Sequence, residues 1–364
     1  MKKLNLNLPD KKIDIFAGEG ASDLLASPKI KKLTTENVFI VVDKNVLKLF
    51  GDLINGLASK FSRSYVYPFN ATEKNKTFAG IEKIYSTMLK KKFGRDTTVV
   101  AIGGGVTGDT AGFVAATFSR GVKLVHIPTT LLAAVDSSIG GKTGINFADT
   151  KNIIGSFYQP ELILIDSRFI KTLDKRELIS GLGEVIKYAF LTNEKFFNFI
   201  SKNIGKFFSY DKKVLDKIIF DSVKFKINVV EQDEMETGLR QILNLGHTFA
   251  HAYEIEKDYT LRHGEAVIAG IVSAVLLSEK MGLLAPGLKE KYFRLLAAIL
   301  QLTINLKGIN ASFCYKVMLH DKKNRDGKVK FVLPIDFGEY AIGVEAERKD
   351  VVDSIKETSE LFSR

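Results

Sequence analysis

The sequence predicts an α/β protein, with a parallel-sheet domain over residues 1–173 and a mostly helical domain over 174–364. Three observations carry that reading. Short β-branched runs in the first half are apolar on both faces and end in glycine, proline or aspartate, as buried parallel strands do. After about Leu173 the apolar residues recur at three- and four-residue steps instead. The composition, 45% hydrophobic and 26% charged, is that of a globular chain able to bury a core.

Each element follows from its own residues. Val38 to Val42 is a strand ending at Asp43, and Thr98 to Ile102 runs into Gly103-Gly104-Gly105. Lys123 to Ile127 ends at Pro128-Thr129-Thr130, and Leu162 to Ile165 ends at Asp166. Helical stretches between them make βαβ units. The boundary falls within Asp166–Asp174. Beyond it, Leu178, Leu182, Val185, Ile186 and Ala189 mark one helix, and Phe196 to Phe208, Val214 to Val230 and Ala266 to Met281 mark others. No tandem repeat or low-complexity tract interrupts them. A site between two such domains is the usual place for chemistry.

With 53 Lys+Arg against 42 Asp+Glu, the net charge is +11 and favours anionic partners. The lysines are dispersed, with short clusters such as Lys90-Lys91-Lys92 and no Arg-rich block, so a solvated basic surface is expected and no nucleic-acid partner. Cys314 is the single cysteine, which excludes an internal disulfide and a cysteine-based zinc cluster and fits the reducing cytoplasm. The N-terminal residues lack the apolar core of a signal peptide, and the longest apolar stretch, Ala266 to Leu277, is too short to span a bilayer, so no membrane association is expected.

Gly103-Gly104-Gly105-Val106-Thr107-Gly108 follows a strand, opens a helix and matches G-x-G-x-x-G. Glycines there let backbone N–H groups approach a pyrophosphate at a helix N-terminus, although such a turn can also simply join strand to helix. The acid usual about twenty residues further on is missing. Asp43, at the end of an earlier strand, is the best alternative for a ribose. The choice is between a dinucleotide site in a non-standard strand order and none.

Arg240, Asn244, His247, His251 and Glu254 are spaced as one stripe on a helix whose other residues are largely apolar. A buried stripe of this kind needs partners, since each unsatisfied polar group costs roughly 1–3 kcal/mol, and an active-site wall supplies them. Three of the five histidines, His247, His251 and His263, lie close together in sequence. With no cysteine nearby, a transition-metal site would use histidine plus a carboxylate. Spacing alone nominates His247 with His251. His263 opens a helix, where the neutral, ligating imidazole is favoured. Glu184 and Lys187, one turn apart among apolar residues, offer either a carboxylate ligand or an ordinary ion pair.

Taken together, several segments resemble the 3-dehydroquinate synthases of the sugar-phosphate cyclase family. They are Gly103 to Asp109, Ile127 to Lys142, Lys151-Asn152, Gly183 to Lys187, Leu243 to His251 and Arg262 to Val267, in family order along nearly the whole chain. The resemblance implies a Rossmann-like NAD-binding domain followed by a helical metal- and substrate-binding domain. It implies one divalent metal, zinc or cobalt, on Glu184, His247 and His263, which replaces the pairing from spacing and makes His251 a substrate-side catalytic group. Implied NAD contacts are Asp43, Glu73, Lys76, Gly104, Gly105, Val106, Asp109, Thr129, Thr130, Leu132, Asp136, Ser137, Lys142, Lys151 and Thr172. Implied substrate or catalytic residues are Arg120, Asp136, Lys142, Asn152, Lys187, Lys226, Glu236, Arg240, Asn244, His251 and a further lysine, Lys323 in preference to Lys322. A homodimer is implied as well.

The substrate that the resemblance implies is the seven-carbon keto acid phosphate of the shikimate pathway, a polyanion matched by Lys142, Lys187, Lys226 and Arg240. In such enzymes NAD oxidises the C5 hydroxyl transiently, phosphate leaves by β-elimination, the hydride returns, and ring opening with aldol closure forms the carbocycle. The substrate's own phosphate can serve as the base. Alternatives are a sister cyclase acting on glucose 6-phosphate or sedoheptulose 7-phosphate, whose substrates lack the carboxylate, and an NAD-dependent metal alcohol dehydrogenase, which would produce net NADH. Non-enzymatic anion binding would show steep salt dependence and no turnover.

Overall fold

The computed structural model describes residues 1–28, 30, 33–148, 150–299, 304–320 and 328–363. They form two compact units, residues 1–173 with 215–235, and residues 174–214 with 236–364.

The first unit is built on a seven-stranded sheet: β1 (Lys2–Asn7), β2 (Lys12–Ala17), β3 (Asn37–Asp43), β4 (Arg63–Phe69), β5 (Thr97–Gly103), β6 (Lys123–Pro128) and, after the hairpin β7 (Lys142–Phe147) and β8 (Thr150–Phe157), β9 (Leu162–Ile165). Its order is β1-β2-β9-β6-β5-β3-β4, parallel throughout except for the β1–β2 pair. Side chains alternate along each strand and fill two cores. Phe39, Val41, Val99, Ala101 and Leu124 pack on one face, and Val38, Ile40, Val42, Val100, Ile102 and Val125 on the other. That two-sided burial is why the strands read as continuous apolar runs.

From β3 the chain steps outward to β4, then returns across β3 to β5 and continues to β6 and β9. The order therefore reverses between β3 and β5, which opens a crevice at their carboxyl ends. Asp43 ends β3 and Gly103 ends β5. The strand order is a non-standard one, and it sets Asp43 and the glycine turn at neighbouring strand ends.

Residues 215–235 belong with the first unit, whereas a division into 1–173 and 174–364 places them in the second. Specific bonds hold them there. Lys226 Nζ donates to the Asp136 carbonyl (2.6 Å), Glu231 accepts from the Asn7 backbone N–H (2.7 Å), and Glu234 accepts from Gln159 (2.8 Å). The apolar periodicity shows that this segment is helical but not which unit it packs on.

In the second unit the central element is the helix His263–Lys280, in which every residue from Gly264 to Ser278 is buried. The helices Lys175–Thr192 and His247–Glu256 pack against it, and the hairpin β10 (Lys330–Asp336) and β11 (Glu339–Glu345) completes the unit. Two glycine contacts set the helix spacing. A Cβ on Gly264 would stand 1.7 Å from the Ser180 carbonyl oxygen, and one on Gly183 would stand 2.4 Å from the Gly264 oxygen. Likewise, a Cβ on Gly270 would lie 2.1 Å from the Gly246 oxygen.

The polar stripe from Arg240 to Glu254 is not one helix. Arg240 and Asn244 lie on a tight helical stretch, Leu239–Asn244, and the helix carrying His247 and His251 starts afresh after Gly246. Gly246 takes φ +76° with its backbone against Ile271, a conformation and an approach that a continuous helix cannot make. Among the described residues, no helix is long and apolar enough to cross a membrane.

The helix contacts generate a paired prediction. Gly264→Ala should destabilise the protein by about 1–3 kcal/mol or more, because backbone must move. Gly205→Ala, in the exposed interior of the helix Glu194–Phe208 with open space around it, should stabilise by roughly 0.5–1 kcal/mol. Urea unfolding midpoints read both, and equal shifts would show that the helix contact does not depend on glycine.

Candidate functional site

Each unit presents its own cluster of candidate residues. In the first, the glycine turn leads from β5 into the helix Gly105–Thr117, whose first turn takes no side-chain cap. A Cβ on Gly104 would come 3.0 Å from Thr130 Cγ2, and one on Gly105 would come 3.2 Å from Ser137 Oγ. The turn therefore lies against the segment after β6 that holds Thr129, Thr130 and Leu132, and Val106 follows on the first helical turn. Uncapped N–H groups in a cradle that side chains would fill are suited to a pyrophosphate. These residues fit a dinucleotide, with Asp43 at the neighbouring strand end.

Beside it runs a polar network. Lys76 is buried, and its ammonium bonds both Asp109 (2.5 Å) and the Asn152 side chain. Glu73, on the preceding turn, accepts from Asn146 (2.7 Å). Asp136, in the π-helical turn Ala133–Ser137, receives the buried Lys226 ammonium at 2.5 Å. Lys151 stands half-buried on β8 next to Asn152, and Lys142 is exposed at the start of β7. Arg120, in the turn Phe118–Arg120 at φ +67°, and Thr172, which bonds back to Phe169, are exposed and take no part in these bonds. Lys322 and Lys323 lie outside the described residues.

In the second unit, Glu184, His247 and His263 bring one potential ligand atom each within 4.8 Å of one another. Glu184 Oε1 is 3.4 Å from His247 Nε2 and 3.5 Å from His263 Nε2. The carboxylate is 0% exposed, yet neither oxygen makes a hydrogen bond of good geometry. Burial opposes its ionisation, but Lys187 in ion-pair contact and the two imidazoles outweigh burial and hold it well below the usual range. His247 donates its Nδ1 proton to the Leu245 carbonyl (3.2 Å), which leaves Nε2 as a lone-pair donor towards Glu184. Burial, reinforced by the Lys187 charge, lowers its pKa to about 4, so the ring is neutral.

His263 places Nε2 towards Glu184 and Nδ1 3.4 Å from Glu254 Oε1. Burial lowers its pKa, but the two carboxylates overcome this and raise it to about 10, so the ring carries a proton rather than the neutral form its place at a helix start favours, and a metal would bind by displacing that proton. With 32% of its side chain exposed, water reaches the ring from one side. A carboxylate and two imidazoles converging on one point, with a hydrogen-bond-poor buried Glu184, fit a tetrahedral divalent metal with one open position. Glu254 supports His263 as carboxylates support metal-bound histidines. His251 is outside the cluster, its ring centre 5.7 Å from that of His247 and 6.4 Å from that of His263. The pairing of His247 with His251 suggested by spacing is thus not the one the structure makes. Lys187, in ion-pair contact with Glu184, is 2% exposed, as is Arg240 on the stretch Leu239–Asn244, where Asn244 donates to Glu236 (3.1 Å).

Residues 66–180 match the 3-dehydroquinate synthase N-terminal family and residues 181–324 the 3-dehydroquinate synthase C-terminal family. The 3-dehydroquinate synthase of Pelagibacter ubique is 43% identical over 348 residues, covering 91% of each chain. That of Ruthia magnifica is 41% identical, covering 93% of this chain and 94% of its own. A 2-deoxy-scyllo-inosose synthase crystallised with carbaglucose-6-phosphate, NAD+ and Co2+ shares the fold at a TM-score of 0.90 and 24% identity, covering 98% of this chain and 99% of its own. An iron-containing alcohol dehydrogenase shares it at 0.68 and 17%, covering 98% and 99%.

Glu184→Gln should abolish stoichiometric metal binding, and Glu254→Gln should weaken it roughly 10–100-fold. Zinc or cobalt titration against a competing chelator measures both, and full metal retention in Glu184→Gln would remove it from the ligand set.

Proposed function

The chain belongs to the 3-dehydroquinate synthase family, and from that membership we propose how its residues divide the reaction. The activity is conversion of 3-deoxy-D-arabino-heptulosonate 7-phosphate to 3-dehydroquinate and phosphate. The observation that carries the assignment of roles is the buried Glu184 carboxylate facing two imidazoles.

Bound NAD supplies reversible hydride transfer at C5 with no net consumption. A bound zinc or cobalt ion supplies Lewis-acid polarisation of the substrate hydroxyls. In the first unit, the backbone at Gly104, Gly105 and Val106 receives the pyrophosphate, and Asp43, Glu73, Lys76 and Asp109 complete the cofactor's surroundings. Lys142, Asn152 and the Asp136–Lys226 pair face substrate. In the second unit, Glu184, His247 and His263 hold the metal. Lys187 and Arg240 carry fixed positive charge for the anionic groups, and burial strengthens their pull. Asn244 orients hydroxyls, and His251 and Glu236 are placed as proton-handling groups. With the substrate phosphate accepting the proton in the elimination, no further strong base is required of the protein. A homodimer, the state that the resemblance implies, completes the reading.

Two measurements test it. Phosphate release from the keto acid phosphate should require only catalytic NAD, stop on chelation, resume with Zn2+ or Co2+ and leave no NADH. Net NADH formation would indicate an alcohol dehydrogenase, and turnover of glucose 6-phosphate or sedoheptulose 7-phosphate alone would indicate a sister cyclase. Arg240→Ala should raise the substrate KM roughly 10–100-fold through lost charge-assisted hydrogen bonds, with NAD affinity changed less than about twofold.

A further inference from the structure

One residue bonded to three of these positions has no part in the reaction so far. Asn146 lies on β7 at a break in the hairpin ladder. Ile145 pairs with Ile154, but Phe147 pairs with Thr150, so the ladder skips Asn146 on one strand and Lys151 to Ile153 on the other. Irregularities of this kind re-aim side chains, often beside active sites. Released from the ladder, the Asn146 backbone N–H donates to the Lys76 carbonyl at 2.7 Å. Its side-chain nitrogen donates to Glu73 Oε2 at 2.7 Å and to the Glu73 carbonyl at 3.2 Å. Its side-chain oxygen accepts the Asn152 backbone N–H at 3.0 Å. The polarity is fixed from both sides, because the Glu73 oxygens only accept and the Asn152 N–H only donates. Asn152 is held at φ +52°, a left-handed conformation uncommon for a residue other than glycine, and its side chain meets the Lys76 ammonium.

We infer that Asn146 is a positioning residue that ties cofactor-side Glu73 and Lys76 to substrate-side Asn152, so that the hairpin sets both halves of the first unit's site together. This rests on the assignment of Glu73 and Lys76 to NAD and of Asn152 to substrate. The two ends of the Asn146 amide serve different ligands and can be separated. Asn146→Asp keeps an acceptor for Asn152 and turns the other end into a carboxylate against Glu73. Asn146→Ala removes both.

The test uses the full chain with metal bound. NAD affinity is read by calorimetry, substrate by KM, and metal content and unfolding midpoint report on integrity. Asn146→Asp should weaken NAD on the order of tenfold with substrate KM within about twofold, and Asn146→Ala should weaken both on the order of tenfold. In a Glu73→Gln background, where the amide donates to the new carboxylate, Asn146→Asp should cost NAD affinity less than about twofold, as a double-mutant cycle registers. Both affinities unchanged in Asn146→Ala would overturn the inference. So would equal losses in the Asp and Ala variants with a lowered unfolding midpoint, which would show a purely structural hairpin residue. Failure of the parent chain to bind NAD would instead refute the assignment of Glu73 and Lys76.

Discussion

The second unit depends on backbone touching backbone where helices cross. Gly183 precedes Glu184, Gly264 follows His263, and Gly246 precedes His247, so each candidate ligand adjoins a glycine that makes such a contact. A methyl group at Gly264 would meet the Ser180 carbonyl at 1.7 Å. Separating these helices by a methyl's width would move ligand atoms by far more than the roughly 0.2 Å that metal coordination tolerates. The apolar helix His263–Lys280 supplies the burial energy, and the glycines convert that energy into a defined spacing between three side chains.

That spacing is bought with a buried charge. A carboxylate at 0% exposure is stable only when compensated. Here Lys187 lies one turn along the same helix and two imidazoles come from the neighbouring helices. The first unit uses the same device, with buried Lys76 balanced by Asp109 and buried Lys226 by Asp136. Opposite charges held at close quarters in low dielectric keep the cations in place before any anionic ligand arrives, which limits the reorganisation needed on binding.

Much of this was legible because it is local. The strands β3, β5, β6 and β9 and the helices around Leu178–Ala189, Phe196–Phe208, Val214–Val230 and Ala266–Met281 follow from periodicity, and the glycine turn from its residues. The stripe from Arg240 to Glu254 was legible as polar residues needing buried partners, but not as two segments, because Gly246 breaks the helix through a contact with Ile271 remote in sequence. The choice of His263 over His251 as the companion of His247 is also tertiary, since it depends on where one helix begins relative to another. Residues 215–235 show the same limit, their periodicity fixing helix and their partners Asn7, Asp136 and Gln159 fixing location. Asn146 left no signal, since an asparagine near a turn looks like turn chemistry until the broken ladder shows where its amide points.

The fold alone does not choose the reaction. The same architecture serves an iron-containing alcohol dehydrogenase at a TM-score of 0.68. This chain keeps several cations out of water. Lys76, Lys187, Lys226 and Arg240 are all buried. Each costs several kcal/mol in desolvation, before compensation, if it only stabilises the fold. A neutral alcohol would return none of that cost, whereas a substrate carrying both a phosphate and a carboxylate engages such charges directly. Under the proposed function, a polyanionic substrate therefore accounts for burying Lys187, Lys226 and Arg240 better than the architecture alone does, and the charges assigned to its phosphate would also stabilise that group as it leaves.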